Sequence, residues 1–231
     1  MADLQVAELW RYPVKSLRGE QLATAALTAD GLHGDRLVHV REPNGRVVTS
    51  RYRPGLLGLE GSLREDGVPL IDGLQWDDPR ALARVQAASA SDVFLLAFAG
   101  VDDGQRYDVL PLTVLSDGMA SEMGVDHRRF RPNIYVRGVD GRTEREWAGR
   151  ALRIGSALIG VWRPRPRCVM TTFHPITLAQ DPTILRRIVR EFDGAIALDC
   201  WVIEPGEISA GARVTVTEIP EGIEVPRRSN A

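Results

Sequence analysis

Short runs in which apolar or β-branched residues alternate with polar ones recur along the chain, at residues 4–10, 21–28, 36–41, 93–98, 133–137, 152–162, 195–203 and 213–217. A two-residue period marks a half-buried strand, and turn formers such as Pro43-Asn44-Gly45, Asp72-Gly73 and Asp140-Gly141 separate the runs. So many short strands predict a mainly β protein of the α+β class, closed like a barrel so that strand edges are not left exposed. Helical signals are fewer. Asp78-Pro79 sets a capping carboxylate before a proline at the first helical position, ahead of Ala81, Leu82 and Val85. Asp181-Pro182 repeats the device. There, Ile184, Leu185, Ile188, Val189 and Phe192 share a helical face opposite Arg186, Arg187, Arg190 and Glu191, which predicts a surface helix packed on the sheet. A third, short helix follows Ser116, with Met119 and Met123 one turn apart as core filler. The polar stretch 87–92 predicts a division between an N-terminal β-rich subdomain over 1–90 and a second domain over 91–220, followed by a tail over 221–231.

Composition narrows the function classes. The chain has 231 residues, 44% of them hydrophobic and 26% charged, and a mean hydropathy of -0.15, as expected of a globular protein. Its longest apolar run, residues 93–99, is far shorter than the roughly 20 residues of a bilayer span, so no membrane crossing is expected. Asp3 and Glu8 stand where a secretory signal would be basic and then apolar, which points to a cytoplasmic protein. With 29 basic and 31 acidic residues there is no overall field to draw the protein onto nucleic acid, and any anion site must be local. Of those 29 basic residues only Lys15 is lysine, a compact ammonium that binds anions as a point charge rather than through a planar fork. Cys168 and Cys200 fall short of the four thiolates an iron–sulfur or zinc site takes, so no built-in iron–sulfur cluster is expected. The four histidines lack metal spacing, and G-x-x-x-x-G-K-[ST], G-x-G-x-x-G and G-x-S-x-G are all missing from the sequence.

The densest chemical signal is Arg163-Pro164-Arg165-Pro166-Arg167-Cys168-Val169-Met170-Thr171-Thr172. Alternating prolines keep this segment extended and predict a loop or a sheet edge. Three guanidinium groups within five residues of a thiol favour thiolate, the form that attacks electrophiles and ligates soft metals. A buried, inert cysteine is the alternative. Arg128-Arg129-Phe130-Arg131-Pro132-Asn133-Ile134 leads from arginines suited to clamping a phosphate, or to a solvated turn, through a proline into a strand. Tyr12-Pro13-Val14-Lys15-Ser16 sets a cation beside a hydroxyl after the first strand, and Gly34-Asp35-Arg36 opens another.

Taken in order with Gly19, Leu115-Ser116, Thr171-Thr172 and Glu204-Pro205-Gly206 with Gly211, these segments resemble the MOSC family. That is the domain related to the C-terminal part of molybdenum cofactor sulfurases, here in the subgroup with an N-terminal β-barrel extension that includes amidoxime-reducing components. The resemblance implies a MOSC-type β-barrel over 91–220 that binds a molybdopterin-type molybdenum cofactor. Carried over by position, Cys168 is the protein ligand of molybdenum, and Lys15, Ser16, Arg36, Ser116, Arg131, Asn133 and Arg167 hold the phosphate and the pterin. The implied activity is the two-electron, two-proton reduction of N-oxygenated substrates such as hydroxylamines or amidoximes. Electrons would come from a separate ferredoxin- or flavin-type redox protein, and His174 is the nearby candidate for proton delivery. A sulfur-carrier protein with a persulfide on Cys168, and a cofactor-binding protein without turnover, are the alternatives.

Overall fold

The computed structural model describes residues 3–98 and 106–225. Alternation builds the strands that matter most. They join in one eight-stranded sheet in the order Val214–Glu218, Arg150–Ile154, Ala157–Pro166, Ala195–Glu204, Leu112–Ser116, Ile134–Arg137, Gln5–Arg11 and Glu20–Leu22. Every neighbouring pair is antiparallel except Leu112–Ser116 with Ile134–Arg137. The described residues form three α-helices, α1 (Pro79–Ser89), α2 (Asp117–Met123) and α3 (Pro182–Glu191). A parallel pair needs a crossover connection, and α2 lies in the one that links Leu112–Ser116 to Ile134–Arg137. The sheet returns on itself where Gln5 bridges Arg213. There Val6 N–H donates to Ala212 O at 2.9 Å, and the Gly211 and Val214 amides donate to Val6 O and Leu4 O at 2.8 Å. The barrel interior holds Val6, Leu9, Val114, Ile134, Ile159 and Leu198, all buried.

A second core gathers Val14, Val38, Leu56, Ile71 and Val85 from the N-terminal segment, beneath α1 and two three-stranded sheets. A third lies under α2 and α3, where Met119 and Met123 are buried as core filler. Each helix starts as its capping residue dictates. Asp78 accepts from the Arg80 amide at 2.8 Å, Asp181 from that of Thr183 at 2.9 Å, and Ser116 from that of Met119 at 3.2 Å.

Several sequence expectations need correction. The run 152–162 is a hairpin rather than one strand. It breaks at Gly155, whose φ is +56° and where an added Cβ would stand 2.4 Å from Glu207 O. The run 21–28 breaks at Ala23, and its second half, Thr24–Thr28, joins a separate three-stranded sheet. Leu112–Ser116 escapes the alternating pattern because all five residues are buried, and it is too short to read as a buried run. Val189, placed on the apolar face of α3, is 62% exposed, since the buried stripe runs through Ile184, Ile188 and Phe192. The Arg-Pro-Arg-Pro segment is not a loop but a local sheet edge, the second of the two expected settings. It continues the Ala157–Pro166 strand, with Pro164 opposite Leu198 and Pro166 opposite Ala195. The prolines fit because Arg150–Ile154 pairs only with residues 157–160, so nothing on that side needs their missing N–H. Of the expected tail, residues 226–231 lie outside the described residues.

Glu144, 1% exposed, ties the connection between Ile134–Arg137 and Arg150–Ile154 to the end of the strand Leu112–Ser116. Its Oε2 accepts from the Ser116 amide at 2.6 Å, and burial pushes its pKa up to about 7 despite that bond. A carboxyl whose folded value lies above its unfolded one binds the proton more tightly in the native state. Its contribution is therefore fully present below the ordinary glutamate range and is lost as pH rises toward 7. Glu144→Gln keeps an acceptor and removes the titration. Denaturant unfolding at pH 5 and pH 8 should show the wild type losing on the order of 1–3 kcal/mol more than the variant over that interval. Equal losses would show that Glu144 stays ionised in the fold.

Candidate functional site

A buried carboxylate organises one end of the barrel. Asp35 accepts from the Tyr12 amide at 2.7 Å and pairs with the Arg36 guanidinium, while its own carbonyl takes Arg106 Nη2 at 2.8 Å. The chain after Gln5–Arg11 is then pinned to the strand Val38–Arg41, because Lys15 N–H donates to Val38 O at 2.8 Å and the Arg36 and Leu37 amides donate to Tyr12 O and Pro13 O at 2.7 Å. Ser16, Arg36 and Arg131 all adopt left-handed backbone, with φ of 75°, 52° and 51°. Non-glycine residues rarely do so, and such positions gather where a fold is committed to presenting particular side chains.

These residues face a cleft of about 790 Å³, counting space open to solvent. Lys15, Arg36, Arg51, Arg106, Arg131, Arg165 and Arg167 line it, with Cys168 and Met170 in the same wall. Asp108 is the one acidic side chain among the described lining residues, 3.1 Å from Lys15 Nζ and 2.8 Å from Arg51 Nη2. Burial would raise the Asp108 pKa, but Lys15 and Arg51 hold it well below the usual carboxylate range. Behind the wall, Asp35 and Asp199 have no exposed surface and pair with Arg36 and Arg165. Seven cations thus face three carboxylates, and the balance favours a ligand carrying several negative charges.

The imbalance shows in the arginines themselves. Burial, with Arg36 nearby, lowers Arg131 to about 10, and burial with Arg165 and Arg131 nearby lowers Arg167 to about 10. Arg131 lies 4.1 Å over the Tyr12 ring, and Arg167 Nη2 donates to Phe130 O at 2.9 Å while its buried Nε has no partner among the described residues. Thr49 Oγ1, also on the cleft, is buried without a partner among them. Buried donors left this way await an acceptor from outside the chain. Tyr12 is itself hemmed in by Gly19, where a Cβ would stand 2.5 Å from the ring.

Cys168 is half-buried at the turn before Thr171 and Thr172, and the Thr171 amide and hydroxyl both donate to its carbonyl. Arg51 lines the cleft together with Cys168. Cys200 is fully buried, with its thiol pushed up by burial and by Asp199, and it carries no chemistry.

The structure therefore brings Lys15, Ser16, Arg36, Arg131, Arg167 and Cys168 to one cleft. It sets three other expected residues outside that lining. Ser116 caps α2. Asn133 accepts from the Thr113 amide at 3.1 Å and donates to Trp10 O at 3.2 Å, stapling three strands beneath the cleft. His174 uses Nδ1 to accept from the Ile176 and Thr177 amides at 3.2 Å. Of the arginines before the cysteine, Arg165 and Arg167 face the cleft, whereas Arg163 is exposed and stacks on Trp162 at 3.9 Å. Sequence reasoning missed Thr49, Arg51, Arg106 and Asp108. They come from loops with no motif, and only the fold carries them to Lys15 and Cys168.

A barrel of this topology with a cation-rich cleft lined by a thiol defines the class. Family models for the MOSC N-terminal beta barrel domain and the MOSC domain match residues 3–107 and 111–215, and the chain belongs to the MOSC family. Among curated proteins it is 28% identical over 229 residues to mitochondrial amidoxime reducing component 2 of Macaca fascicularis, covering 74% of this chain and 67% of that one. It is 26% identical over 227 residues to mitochondrial amidoxime-reducing component 1 of Homo sapiens, with the same coverage. The crystal structure of the YUAD protein from Bacillus subtilis matches 95% of this chain and all of its own at a TM-score of 0.51 and 14% identity, which supports the fold. No helix among the described residues is long and apolar enough to cross a membrane.

Arg131 is a desolvated cation over Tyr12 whose guanidinium makes no hydrogen bond among the described residues. Arg131→Met should leave the melting temperature of ligand-free protein unchanged or raise it, and should abolish most of the stabilisation that wild type gains from millimolar inorganic phosphate over an equal ionic strength of chloride. A thermal melt series checks both. A large drop in the ligand-free variant would make Arg131 structural.

Proposed function

We propose that this protein is a molybdenum-cofactor oxidoreductase that reduces N-oxygenated substrates, such as amidoximes, by two electrons and two protons with release of water. The observation that carries the reading is the convergence of Lys15, Ser16, Arg36, Arg131 and Arg167 on one cleft that Cys168 also lines. The donor set fits a molybdopterin-type cofactor: a surplus of cations and the orphaned Arg167 Nε and Thr49 Oγ1 suit a phosphate dianion, and a half-buried thiol suits a soft metal. When bound, the cofactor supplies two-electron redox chemistry at an N–O bond.

In this reading Lys15 is a point charge for the phosphate, released from Asp108 as the anion takes its place. Arg36 and Arg131, held over Tyr12 by left-handed backbone, supply planar donors to phosphate and pterin. Cys168 is the thiolate ligand, in the same lining as Arg51, Arg165 and Arg167. Ser116 and Asn133 act through the strands they cap and staple. His174, outside the lining, is given no proton to carry, and protons reach the open cleft from solvent. Electrons come from a separate redox protein, in keeping with relatives named as components of a reducing system.

Protein made in a host with intact molybdenum cofactor synthesis should carry about one molybdenum per chain by elemental analysis, and Cys168→Ser should lose most of it, because an alcohol ligates this metal poorly beside a thiolate. The wild type should reduce an N-hydroxylated substrate with an artificial electron donor, and iodoacetamide should alkylate Cys168 slowly until the cofactor is extracted. Full metal retention in Cys168→Ser overturns the ligand assignment. Equal alkylation in both forms, with one sulfur added to Cys168 by a cysteine desulfurase, assigns the protein to sulfur transfer instead.

A further inference from the structure

Beside the cleft lies a second cavity of about 510 Å³ with a mostly apolar wall. Trp10, Leu57, Met170, Phe173 and Pro175 form most of that wall, and Tyr12 closes it from below. Met170 and Arg131 line both this cavity and the cleft, and Cys168 lines the cleft with them. No acidic side chain lines it among the described residues, whereas four arginines do.

Those arginines are mostly committed elsewhere. Asp126 takes Arg128 through bonds of 2.5 to 3.2 Å, the Thr171 and Thr172 carbonyls take Arg129 at 3.4 and 2.9 Å, and Glu60 lies 3.5 Å from Arg18. With their heads turned to these partners, they offer the cavity their stems and a positive field. Trp10, Met170, Phe173 and Pro175 are all half-buried in a single protein chain, an arrangement that leaves apolar area facing a hollow. A planar, neutral or anionic apolar body fits such walls, and a cationic one is repelled. Met170, unbranched and polarisable, can adjust to a ring edge at the junction.

We infer that this cavity seats the aromatic body of the substrate, with its N–O end passing Met170 and Arg131 into the cleft at Cys168. Phe173 and Trp10 are then specificity-determining residues. The inference rests on the reductase reading for the reacting end of the ligand, while the seat itself is a property of the cofactor-free chain.

Calorimetric titration of cofactor-free protein with benzamidoxime and with acetamidoxime tests the seat without turnover, since the two differ by a ring against a methyl group. Benzamidoxime should bind at least tenfold more tightly, and Phe173→Ala should remove about tenfold of that affinity, Phe173→Leu only a few-fold, with acetamidoxime unchanged. In loaded protein the same variants should raise KM for benzamidoxime with little change in kcat and should keep the wild-type molybdenum content. Ring-selective binding without turnover of either compound would uphold the seat while sinking the reductase reading. Turnover of both compounds with no ring preference, equal loss for both in Phe173→Ala, or loss of molybdenum from that variant would overturn the seat, the last by assigning the cavity to the cofactor.

Discussion

Asp35 has no exposed surface, and its carboxylate is committed twice, to the Tyr12 amide and to the Arg36 guanidinium. Removing either partner would leave a buried charge uncompensated, so the first loop and the strand after Gly34-Asp35-Arg36 have to stay together. The rest of the cleft hangs from this pairing. It places Lys15 and Ser16 opposite Arg36, and it turns the Tyr12 ring so that Arg131 can lie over it and the hydroxyl can donate to Pro132 O at 3.1 Å. Through that hydroxyl the N-terminal segment grips the Arg-Pro-Asn turn, 120 residues further along the chain.

Concentrating cations in a folded protein opposes stability, and the structure shows how the opposition is contained. Asp35, Asp108 and Asp199 each take one or two cations, which leaves Arg106, on the Asp35 carbonyl, and Arg131 and Arg167, whose desolvated guanidinium groups are lowered to about 10. Left-handed backbone at Ser16, Arg36 and Arg131 adds strain at the same place. Strain and charge repulsion that meet at one cleft, with the barrel and its three cores supplying the compensating burial, are the mark of a site kept for a ligand rather than for the fold.

The two spaces at this end of the barrel divide recognition by chemistry. The cleft is charged and suits an anionic cofactor, whereas the cavity beside it is mostly apolar and suits an apolar body. Met170 and Arg131 stand at the junction, and the Thr171–Thr172 turn that positions Met170 is itself held by Arg129. A change in that turn therefore acts on both spaces at once.

Much of this is legible in local chemistry alone. Alternation announces a mainly β chain, the Asp-Pro pairs and Ser116 announce the three helix starts, and the lone lysine, the arginines around Arg131 and Arg167-Cys168 point to an anion site with a thiol, because side-chain charge and capping are properties of the residues themselves. Arg36 is singled out only by the resemblance to the MOSC family. Tertiary structure decides what depends on distance through space. It makes Leu112–Ser116 a central strand through burial on both faces, lets prolines into a strand because one side has no partner, and turns Asn133 and Ser116 into staples by surrounding them with backbone amides. It alone brings Arg51 and Asp108 to Lys15, and Trp10 and Phe173 to one cavity wall, since those residues are separated by long stretches of sequence.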